Sequence, residues 1–350
     1  MKSQRTTMAA LALAIFASAA AGPTAQAQTP IKISYQPAVY WAVPFYVATE
    51  KKFWADAGLV PEFSTFPAGA PQVAAAQAKS WDVGGTGSVP AVLGAARFGL
   101  VTIGITNDES KANALMVRAD KYDALKANPA SIKGQKILLT TNSTVDYATQ
   151  SCLRKWGLAK ADVQLVNLGQ AQIISAITSN NGDLAGVWAP NTYTLEEKGG
   201  AKYLCSGFDA GAIVPGALVV RSDFAKQSPD TVAKFLAVYL RAWSWAKANP
   251  KQARDMLKKF YAQGGVEISD KAVDAEFNLR PVFLLDEQLK IMDRAKGKSD
   301  VDNWLGAIGE FMKSVGTVSD APDTKTFVDP SFMQRVAADA KLKAMAGKSD

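Results

Sequence analysis

The chain has 350 residues, 48% hydrophobic and 20% charged, which suits one large globular domain or two medium ones. It contains two cysteines and no histidine, so Ser-His-Asp triads, Cys-His pairs, His-ligated zinc and four-cysteine metal clusters are excluded. Its net charge of +7 is spread along the chain without runs of like charge, a pattern that does not indicate nucleic-acid binding.

The first 27 residues follow the three-part pattern of an export signal. Lys2 and Arg5 are positive, residues 8–21 form an apolar run too short to span a bilayer, and Ala25-Gln26-Ala27 is a small-x-small cleavage site. The alternative is a buried N-terminal helix. We expect residues 1–27 to be a signal peptide, so that the mature chain begins at Gln28 and is exported as a soluble protein.

Strand and helix patterns alternate after the signal, which predicts a largely parallel sheet in an α/β fold. The elements predicted in the first unit are strands at 31–35, 59–66, 82–87 and 100–105 and helices at 44–57, 70–79 and 88–97. The pattern starts again with strands at 136–140, 163–168, 183–188 and 202–205 and helices at 144–156, 171–179 and 190–198. Residues 228–343 are mostly helical, with breaks at Pro250, Gly264-Gly265, Pro281 and Pro322.

Two internal echoes relate the units to each other. Residues 114–120 (ALMVRAD) resemble 217–223 (ALVVRSD), and residues 82–85 (DVGG) resemble 183–186 (DLAG). We interpret the first pair as the two strands by which the chain crosses to a second lobe and returns. The expected organisation is lobe 1 at 28–117, lobe 2 at 118–219, and a return to lobe 1 with a helical tail at 220–350.

Cys152 and Cys205 are an even pair in a chain expected to be exported. An oxidising compartment favours a disulfide between them, while two separate buried thiols are the alternative. The absence of a C-x-x-C motif argues against redox catalysis.

Small polar residues precede several predicted helices, where ligands bind in open α/β sheets. Thr86, Gly87 and Ser88 precede one such helix, and Ser143 and Thr144 precede another. Free backbone N–H groups and the helix dipole form an anion site there without a cationic side chain. The alternative is that these residues serve only as helix caps.

Aromatic and polar side chains stand beside the same turns. Tyr40 and Trp41 follow the first strand, and in the second unit Trp188 ends the strand at 183–188 and flanks the turn that contains Pro190. Such rings form apolar walls that stack on ligands, with core packing as the alternative. Asp146 lies in the first turn after Thr144, where it either recognises an ammonium group or complements the helix dipole. No arginine occupies a predicted contact position.

Four segments carry a family resemblance: residues 66–69 (FPAG), 82–90 (DVGGTGSVP), 153–158 (LRKWGL) and 186–190 (GVWAP). Together they resemble the periplasmic binding proteins of ABC importers for taurine, alkanesulfonates and nitrate. The likeness runs from about residue 31 to 250, and the part at 163–190 is most similar to the taurine-binding branch. It implies a type II periplasmic binding protein fold, with two lobes on a two-strand hinge closing over the ligand.

The resemblance also implies that Gln36, Thr86–Ser88, Ser143, Thr144 and Trp188 line the cleft. Residues 107–110 and 39–44 depart from the family pattern and leave room for a bulkier organic anion. With the candidates from the turns added, the predicted ligand-binding set is Gln36, Tyr40, Trp41, Thr86, Gly87, Ser88, Asn107, Ser143, Thr144, Asp146, Trp188 and Pro190.

The predicted function is therefore that of a monomeric periplasmic receptor. It binds a small organic anion, such as taurine, an alkanesulfonate or a related carboxylate, and delivers it to the permease and ATPase of an ABC importer. We expect no cofactor, no metal and no catalytic residue. The alternatives are a receptor for an aromatic carboxylate or a pyrimidine precursor of thiamine, and an enzyme on the same fold, whose known form uses a histidine that this chain lacks.

Overall fold

The computed structural model describes residues 28–38 and 41–350, so the predicted signal peptide and Tyr40 lie outside the described residues. Within them the strands form two five-stranded mixed sheets. The first sheet consists of β1 (Thr29–Tyr35), β2 (Leu59–Thr65), β3 (Val83–Gly87), β4 (Leu100–Asp108) and β10 (Pro215–Arg221), in the order β2-β1-β3-β10-β4. The second consists of β5 (Asn113–Arg118), β6 (Lys136–Leu139), β7 (Gln164–Asn167), β8 (Leu184–Trp188) and β9 (Ala201–Ser206), in the order β7-β6-β8-β5-β9.

Helices cover both sheets and form the C-terminal region. The first lobe carries a π-helical turn (Ala42–Tyr46), α1 (Val47–Glu50), α2 (Phe53–Asp56), α3 (Gly69–Ala75) and α4 (Ser88–Phe98). The second carries α5 (Ala119–Ala127), α6 (Thr144–Lys155), α7 (Gln170–Thr178) and α8 (Asn191–Glu197). The return and tail comprise α9 (Ser222–Gln227), α10 (Pro229–Ala248), α11 (Pro250–Gln263), α12 (Asp270–Asn278), α13 (Leu285–Ile291), α14 (Asp300–Ser314), α15 (Thr324–Phe327), α16 (Ser331–Ala338) and α17 (Ala340–Gly347).

Short 3₁₀ turns lie at Ala76–Ala78, Pro129–Ile132 and Lys160–Asp162. In the part of the chain that the structure describes, no helix combines the length and apolar character needed to cross a bilayer.

The two sheets have the same arrangement, which explains both sequence echoes. In each sheet three parallel strands are followed by an antiparallel strand and an edge strand that pairs with it. The first echo falls on the two antiparallel strands, β5 and β10, and the second falls on β8 and β3. The echoes therefore mark equivalent strands of two similarly built lobes.

The chain crosses between the sheets at residues 109–112 and returns at 207–214, earlier than the expected boundaries after 117 and 219. The echo strands lie inside the sheets and not between them. Backbone hydrogen bonds fix this placement, because β5 pairs with β8 and β9 while β10 pairs with β3 and β4. Most of β5 thus belongs to the second lobe, and β10 belongs to the first.

The helix predicted at 44–57 is broken in the structure. Lys52 has φ of 61°, in the left-handed region, and separates α1 from α2. Phe53 and Trp54, which follow the break, are nevertheless buried. The apolar face of the predicted helix therefore continues across the break. Farther along, α10 ends before Pro250 and α11 ends before Gly264, as predicted.

The largest hydrophobic core joins the first sheet to the tail helices, and smaller clusters lie within the second lobe. Around Phe45 an aromatic group brings together Trp54, Phe235 and Tyr239, with ring centroids about 6 Å apart. Aromatic pairs add to the area term of burial. Trp243 and Trp245 of α10 are buried in the same core.

Cys152 of α6 and Cys205 of β9 form a disulfide, with their Cα atoms 6.2 Å apart. Of the two alternatives left open by the sequence, the structure therefore has the bridge. It ties the helix that begins at the cleft to the edge strand of the second sheet.

The tail also holds the second lobe against the first. On one side the ring of Tyr147 in α6 lies 5.0 Å from that of Phe311 in α14. On the other side Ser269, which caps α12, donates to Glu197 Oε1 at 2.6 Å, and Arg280 Nη2 donates to the Ala189 carbonyl at 2.9 Å. The lobes are thus in contact on both flanks of the hinge.

Candidate functional site

The N-termini of α4 and α6 meet where the two lobes face each other. A Cβ atom placed on Gly87 would lie 2.6 Å from Cγ2 of Thr144, so only glycine permits this approach. Gly87 ends β3 and caps α4, while Thr144 is the first residue of α6. The structure therefore brings together Gly87, Ser88, Ser143 and Thr144, four of the predicted site residues.

The N-terminus of α4 is not capped by a side chain. Its cap residue, Gly87, has none, and the first turn contains no acidic residue. Ser88 is fully buried, and its hydroxyl has no hydrogen-bond partner among the described residues. A buried hydroxyl without a partner costs free energy, so this group is a candidate for a ligand contact.

The N-terminus of α6, in contrast, is satisfied within the protein. Ser143 Oγ accepts from the backbone N–H of Asp146 at 3.4 Å and donates to the Thr140 carbonyl at 2.6 Å. Thr144 Oγ1 donates to Asn113 Oδ1 at 2.8 Å. The second lobe thus presents a capped helix end to the first.

The Asp146 carboxylate is held inside α6. Oδ2 accepts from the backbone N–H of Asn142 at 3.0 Å, and Oδ1 accepts from Gln150 Nε2 at 2.7 Å. Burial raises the pKa of Asp146, and these hydrogen bonds oppose that rise. Within the described residues, no group of three or more His, Cys, Asp or Glu side chains is placed to hold a metal ion.

A glutamine network forms the floor of the site in the first lobe. Gln36 Nε2 donates to Thr86 Oγ1 at 2.9 Å and to Gln72 Oε1 at 2.7 Å. Gln72 is fully buried, and its Nε2 donates to Ser34 Oγ at 2.9 Å and to the Gly85 carbonyl at 2.8 Å. Gln72 therefore joins the carboxyl ends of β1 and β3, which fixes Gln36 and Thr86 beside α4.

Gln170 has the corresponding place in the second lobe, on the helix after the equivalent edge strand. Its Nε2 donates to Thr140 Oγ1 at 3.2 Å, while its Oε1 accepts from the backbone N–H of Trp188 at 3.4 Å and from Asn191 Nδ2 at 3.1 Å. One side chain thus positions the ends of β6 and β8 and the start of α8.

The predicted aromatic residues have different positions. Trp188 is partly exposed at the end of β8, and Pro190 follows it, buried, after a cis peptide bond. Trp41 is fully buried in the main core, with its ring against Gly85 and stacked on Phe45. Glycine at 85 leaves the space that the indole fills, so Trp41 packs the wall behind the site.

Asn107 lies apart from the other candidates. It is the penultimate residue of β4 and pairs with Val282 in a short bridge, and its Oδ1 accepts from Thr106 Oγ1 at 2.7 Å. It borders a separate cavity whose lining includes none of the other predicted site residues. The edge position of β4 accounts for this, because β10 separates β4 from β3.

The sequence interpretation missed Gln72, Asn113, Gln170 and Arg280, which position the site from behind. Each is a polar or charged side chain that bonds to a strand end or to a cleft residue from another element. The one available signal was a lone glutamine within an otherwise apolar or small-residue segment, as for Gln72 in GAPQVAA.

Comparison with known proteins gives the family. The family model described as NMT1/THI5 like matches residues 41–253, well over half of the chain. The taurine-binding periplasmic protein of Escherichia coli (strain K12) is 29% identical over 255 residues, covering 71% of this chain and 74% of that one. A putative binding protein of Brucella abortus is 26% identical over 302 residues, covering 85% and 89%.

The fold has a solved counterpart in the alkanesulfonate-binding protein SsuA from Xanthomonas axonopodis pv. citri, solved bound to MOPS. The TM-score is 0.72 at 20% identity, over 86% of this chain and 98% of that one. These findings confirm the resemblance and the two-lobed fold predicted from the sequence. The chain belongs to the NMT1/THI5-like family and has the same fold as the alkanesulfonate-binding protein SsuA.

Proposed function

We propose that this protein is a periplasmic receptor that captures a small organic anion between its lobes and delivers it to an ABC importer. The observation that carries the proposal is the uncapped N-terminus of α4, with the unpartnered hydroxyl of Ser88, facing the second lobe. The names of the taurine-binding and alkanesulfonate-binding relatives support a sulfonate as the ligand.

The helix end supplies what an anion needs. Backbone N–H groups in the first turn of α4 lack partners within the helix, and the aligned peptide dipoles place positive potential there. An oxyanion accepting from these groups and from Ser88 gains charge-assisted hydrogen bonds in a site shielded from water. No carboxylate in this first turn opposes the ligand's charge.

The rest of the ligand then faces the second lobe. Thr144 and the partly exposed Trp188 give that side a mixed polar and aromatic surface, suited to an alkane or aryl chain. Asp146 distinguishes two classes of anion. A zwitterion such as taurine has an ammonium group that can pair with the Asp146 carboxylate, whereas a plain alkanesulfonate or carboxylate has none.

Closure of the lobes over the ligand completes the proposed cycle. The ligand stabilises the closed form through contacts with both lobes, and a permease and its ATPase then receive it. We propose that the receptor acts as a monomer, is exported by residues 1–27, and has no catalytic role. A chain without histidine has no imidazole to act as acid or base beside Ser88.

A ligand panel tests the function. Thermal unfolding and calorimetric titration are measured with ethanesulfonate, taurine, longer alkanesulfonates, benzenesulfonate, benzoate, nitrate and a thiamine-type pyrimidine. A ligand at about a hundred times its dissociation constant adds roughly 2.7 kcal/mol, a shift of several degrees. Stabilisation by a sulfonate or carboxylate that is weakened in Ser88→Ala supports the proposal. Stabilisation by the pyrimidine alone contradicts it and favours stacking on Trp188.

Asp146→Asn separates the two classes of anion. If Asp146 binds an ammonium group, this variant loses affinity for taurine and keeps its affinity for ethanesulfonate, which has the same carbon chain. Equal loss for both ligands shows instead that Asp146 acts by holding the N-terminal turn of α6.

A further inference from the structure

A cavity of about 320 Å³ lies beside the end of β4, where the chain crosses to the second lobe, and outside the cleft between the lobes. It is bounded by the end of α10, the start of α11, the end of α12 and the segment that leads to α13. This volume is at the lower end of the range for small-molecule sites in proteins. None of the residues proposed to contact the anion lines this cavity, although Arg280, which holds the Ala189 carbonyl from behind the site, does.

The cavity wall is mostly apolar, with rings on opposite elements. Trp243 and Ala246 line it from α10, Phe277 lines it from α12, and Pro281 lines it from the following segment. A wall of this kind favours a flat or branched hydrocarbon group.

The two carboxylates of this wall, Glu276 and Glu287, are paired with Arg280 and Lys247, and some hydrogen-bond donors of the wall remain unused. Asn107 is fully buried at its border, and its Nδ2 has no hydrogen-bond partner among the described residues. Arg254 uses Nε on Asp274 and Nη1 on the Pro250 carbonyl, which leaves Nη2 for a further acceptor. The Lys247 ammonium is 3.7 Å from Glu287 and also has donors to spare.

The cavity adjoins the junction between the two lobes and the tail. Asn107 and Asp108 are the last two residues of the strand that leads into the first crossing, and the Pro281 carbonyl accepts from the backbone N–H of Asp108 at 2.9 Å. Arg280, on the same segment, bonds to Ala189 of the second lobe. An occupant would therefore stiffen the junction between the tail, the hinge and the wall that carries Trp188.

We propose that this cavity is a second small-molecule site, for a small aromatic or branched aliphatic carboxylate. The hydrocarbon part lies between Trp243 and Phe277, and the carboxylate accepts from the spare donors of the site. The site goes beyond the proposed cleft function and does not depend on it.

Fluorine NMR of protein labelled with 5-fluorotryptophan tests this site separately from the cleft. The chain has eight tryptophans, of which Trp243 reports on the cavity and Trp188 on the cleft. Trp243→Phe and Trp188→Phe assign the two resonances. Benzoate and cyclohexanecarboxylate are the probes, and benzamide is the neutral control with the shape of benzoate.

We expect benzoate to shift the Trp243 resonance saturably, and to do so equally in the cleft variant Ser88→Ala. Ala246→Phe, which fills the cavity, abolishes the shift. Arg254→Gln, at the partly exposed mouth, weakens binding about tenfold and keeps the protein folded if Ala246→Phe does not. Benzamide binds more weakly than benzoate by a similar factor.

Any one of three results overturns the proposal. The first is a Trp243 resonance that stays in place with benzoate at about 10 mM, a concentration at which even a millimolar site is occupied. The second is a shift that persists unchanged in Arg254→Gln and Ala246→Phe. The third is that the Trp243 and Trp188 resonances move together and both stop responding in Ser88→Ala, which places benzoate in the cleft alone. Failure of the cleft proposal has a different signature, a Trp188 resonance that no sulfonate moves.

Discussion

Replacing Ser88 by alanine should stabilise the free protein and weaken its ligand binding. The hydroxyl of Ser88 is fully buried without a partner, and leaving such a group unsatisfied costs about 1–3 kcal/mol. Alanine removes that cost and is a better helix former at the first position of α4. Unfolding entropy scales with chain length, so a gain of about 1 kcal/mol raises the melting temperature by roughly 1–2 °C in a chain of this size.

The effect on binding has the opposite sign. If the ligand's anionic group accepts from Ser88, its removal loses a hydrogen bond to a charged group, which contributes about 1.5–3 kcal/mol. The dissociation constant should therefore rise roughly 10- to 150-fold. A purely structural serine would not produce higher stability and lower affinity together.

Ser151→Ala is the matched control, because Ser151 is a buried serine with partners. Its hydroxyl donates to the Tyr147 carbonyl at 2.7 Å and accepts from Arg154 Nη2 at 2.7 Å. We expect this variant to melt lower and to bind normally. Differential scanning calorimetry without ligand and titration calorimetry with the best ligand of the panel measure both quantities. A Ser88→Ala protein that is less stable than wild type, or that binds equally well, refutes the reasoning.

Three further predictions concern stability and closure. The disulfide closes a loop with a sequence separation of 53. Replacing both cysteines, Cys152→Ala with Cys205→Ala, should therefore lower the free energy of unfolding by about 4 kcal/mol and the melting temperature by roughly 6 °C. A shift of the melting temperature below about 1 °C contradicts this. The Arg221 guanidinium holds the pKa of Asp223 below its usual value of 3.8, so urea titrations should show wild type losing more stability than Asp223→Asn as pH falls from 5 to about 3. The sign follows because the unfolded chain takes up that proton first. Phe311→Ala removes an aromatic contact between the lobes. Small-angle scattering should therefore show a larger radius of gyration for the free protein, and the affinity for the ligand should fall about 2- to 10-fold. An unchanged radius of gyration would show that this contact does not hold the lobes together.

Most of the elements could be predicted because their signals are local. Alternating apolar residues marked β1, and turn residues marked the starts of α4 and α6, where the structure has them. The break at Lys52 could not be predicted, since a left-handed lysine has no sequence signature of its own. The lobe boundaries differed because sequence similarity showed that β5 and β10 are equivalent but not which strands they pair with.

The residues of the candidate site likewise divide into those with a local sequence signal and those whose role only the fold shows. Ser88 and Thr144 were predicted because a small polar residue before a helix is visible in one segment. Gln72 and Gln170 act through bonds to strands far away in sequence, so only the folded chain shows their role. Asn107 was included in the predicted site from a segment that departs from the family pattern, and the strand order placed it beside another cavity.

The two lobes share one plan, which makes their difference at the cleft informative. In each lobe, the strand that carries the first sequence echo ends at an arginine. This arginine pairs with the aspartate two residues later and with the aspartate just before the neighbouring strand. These groups are Arg221 with Asp223 and Asp82, and Arg118 with Asp120 and Asp183. The plan is broken at the helix ends, where α6 has a serine cap and Asp146 in its first turn, whereas α4 has neither.

An anion gains most at the helix end that has no cap of its own. We therefore expect the ligand to bind the first lobe in the open form, and the second lobe to close over it afterwards. Substitutions at Ser88 should then slow or abolish capture itself, which appears in the concentration-dependent phase of stopped-flow Trp188 fluorescence. Substitutions at Thr144 should leave that phase intact and reduce the concentration-independent closing step. If Thr144→Val instead removes the first phase, the order of events is reversed and the second lobe holds the ligand first.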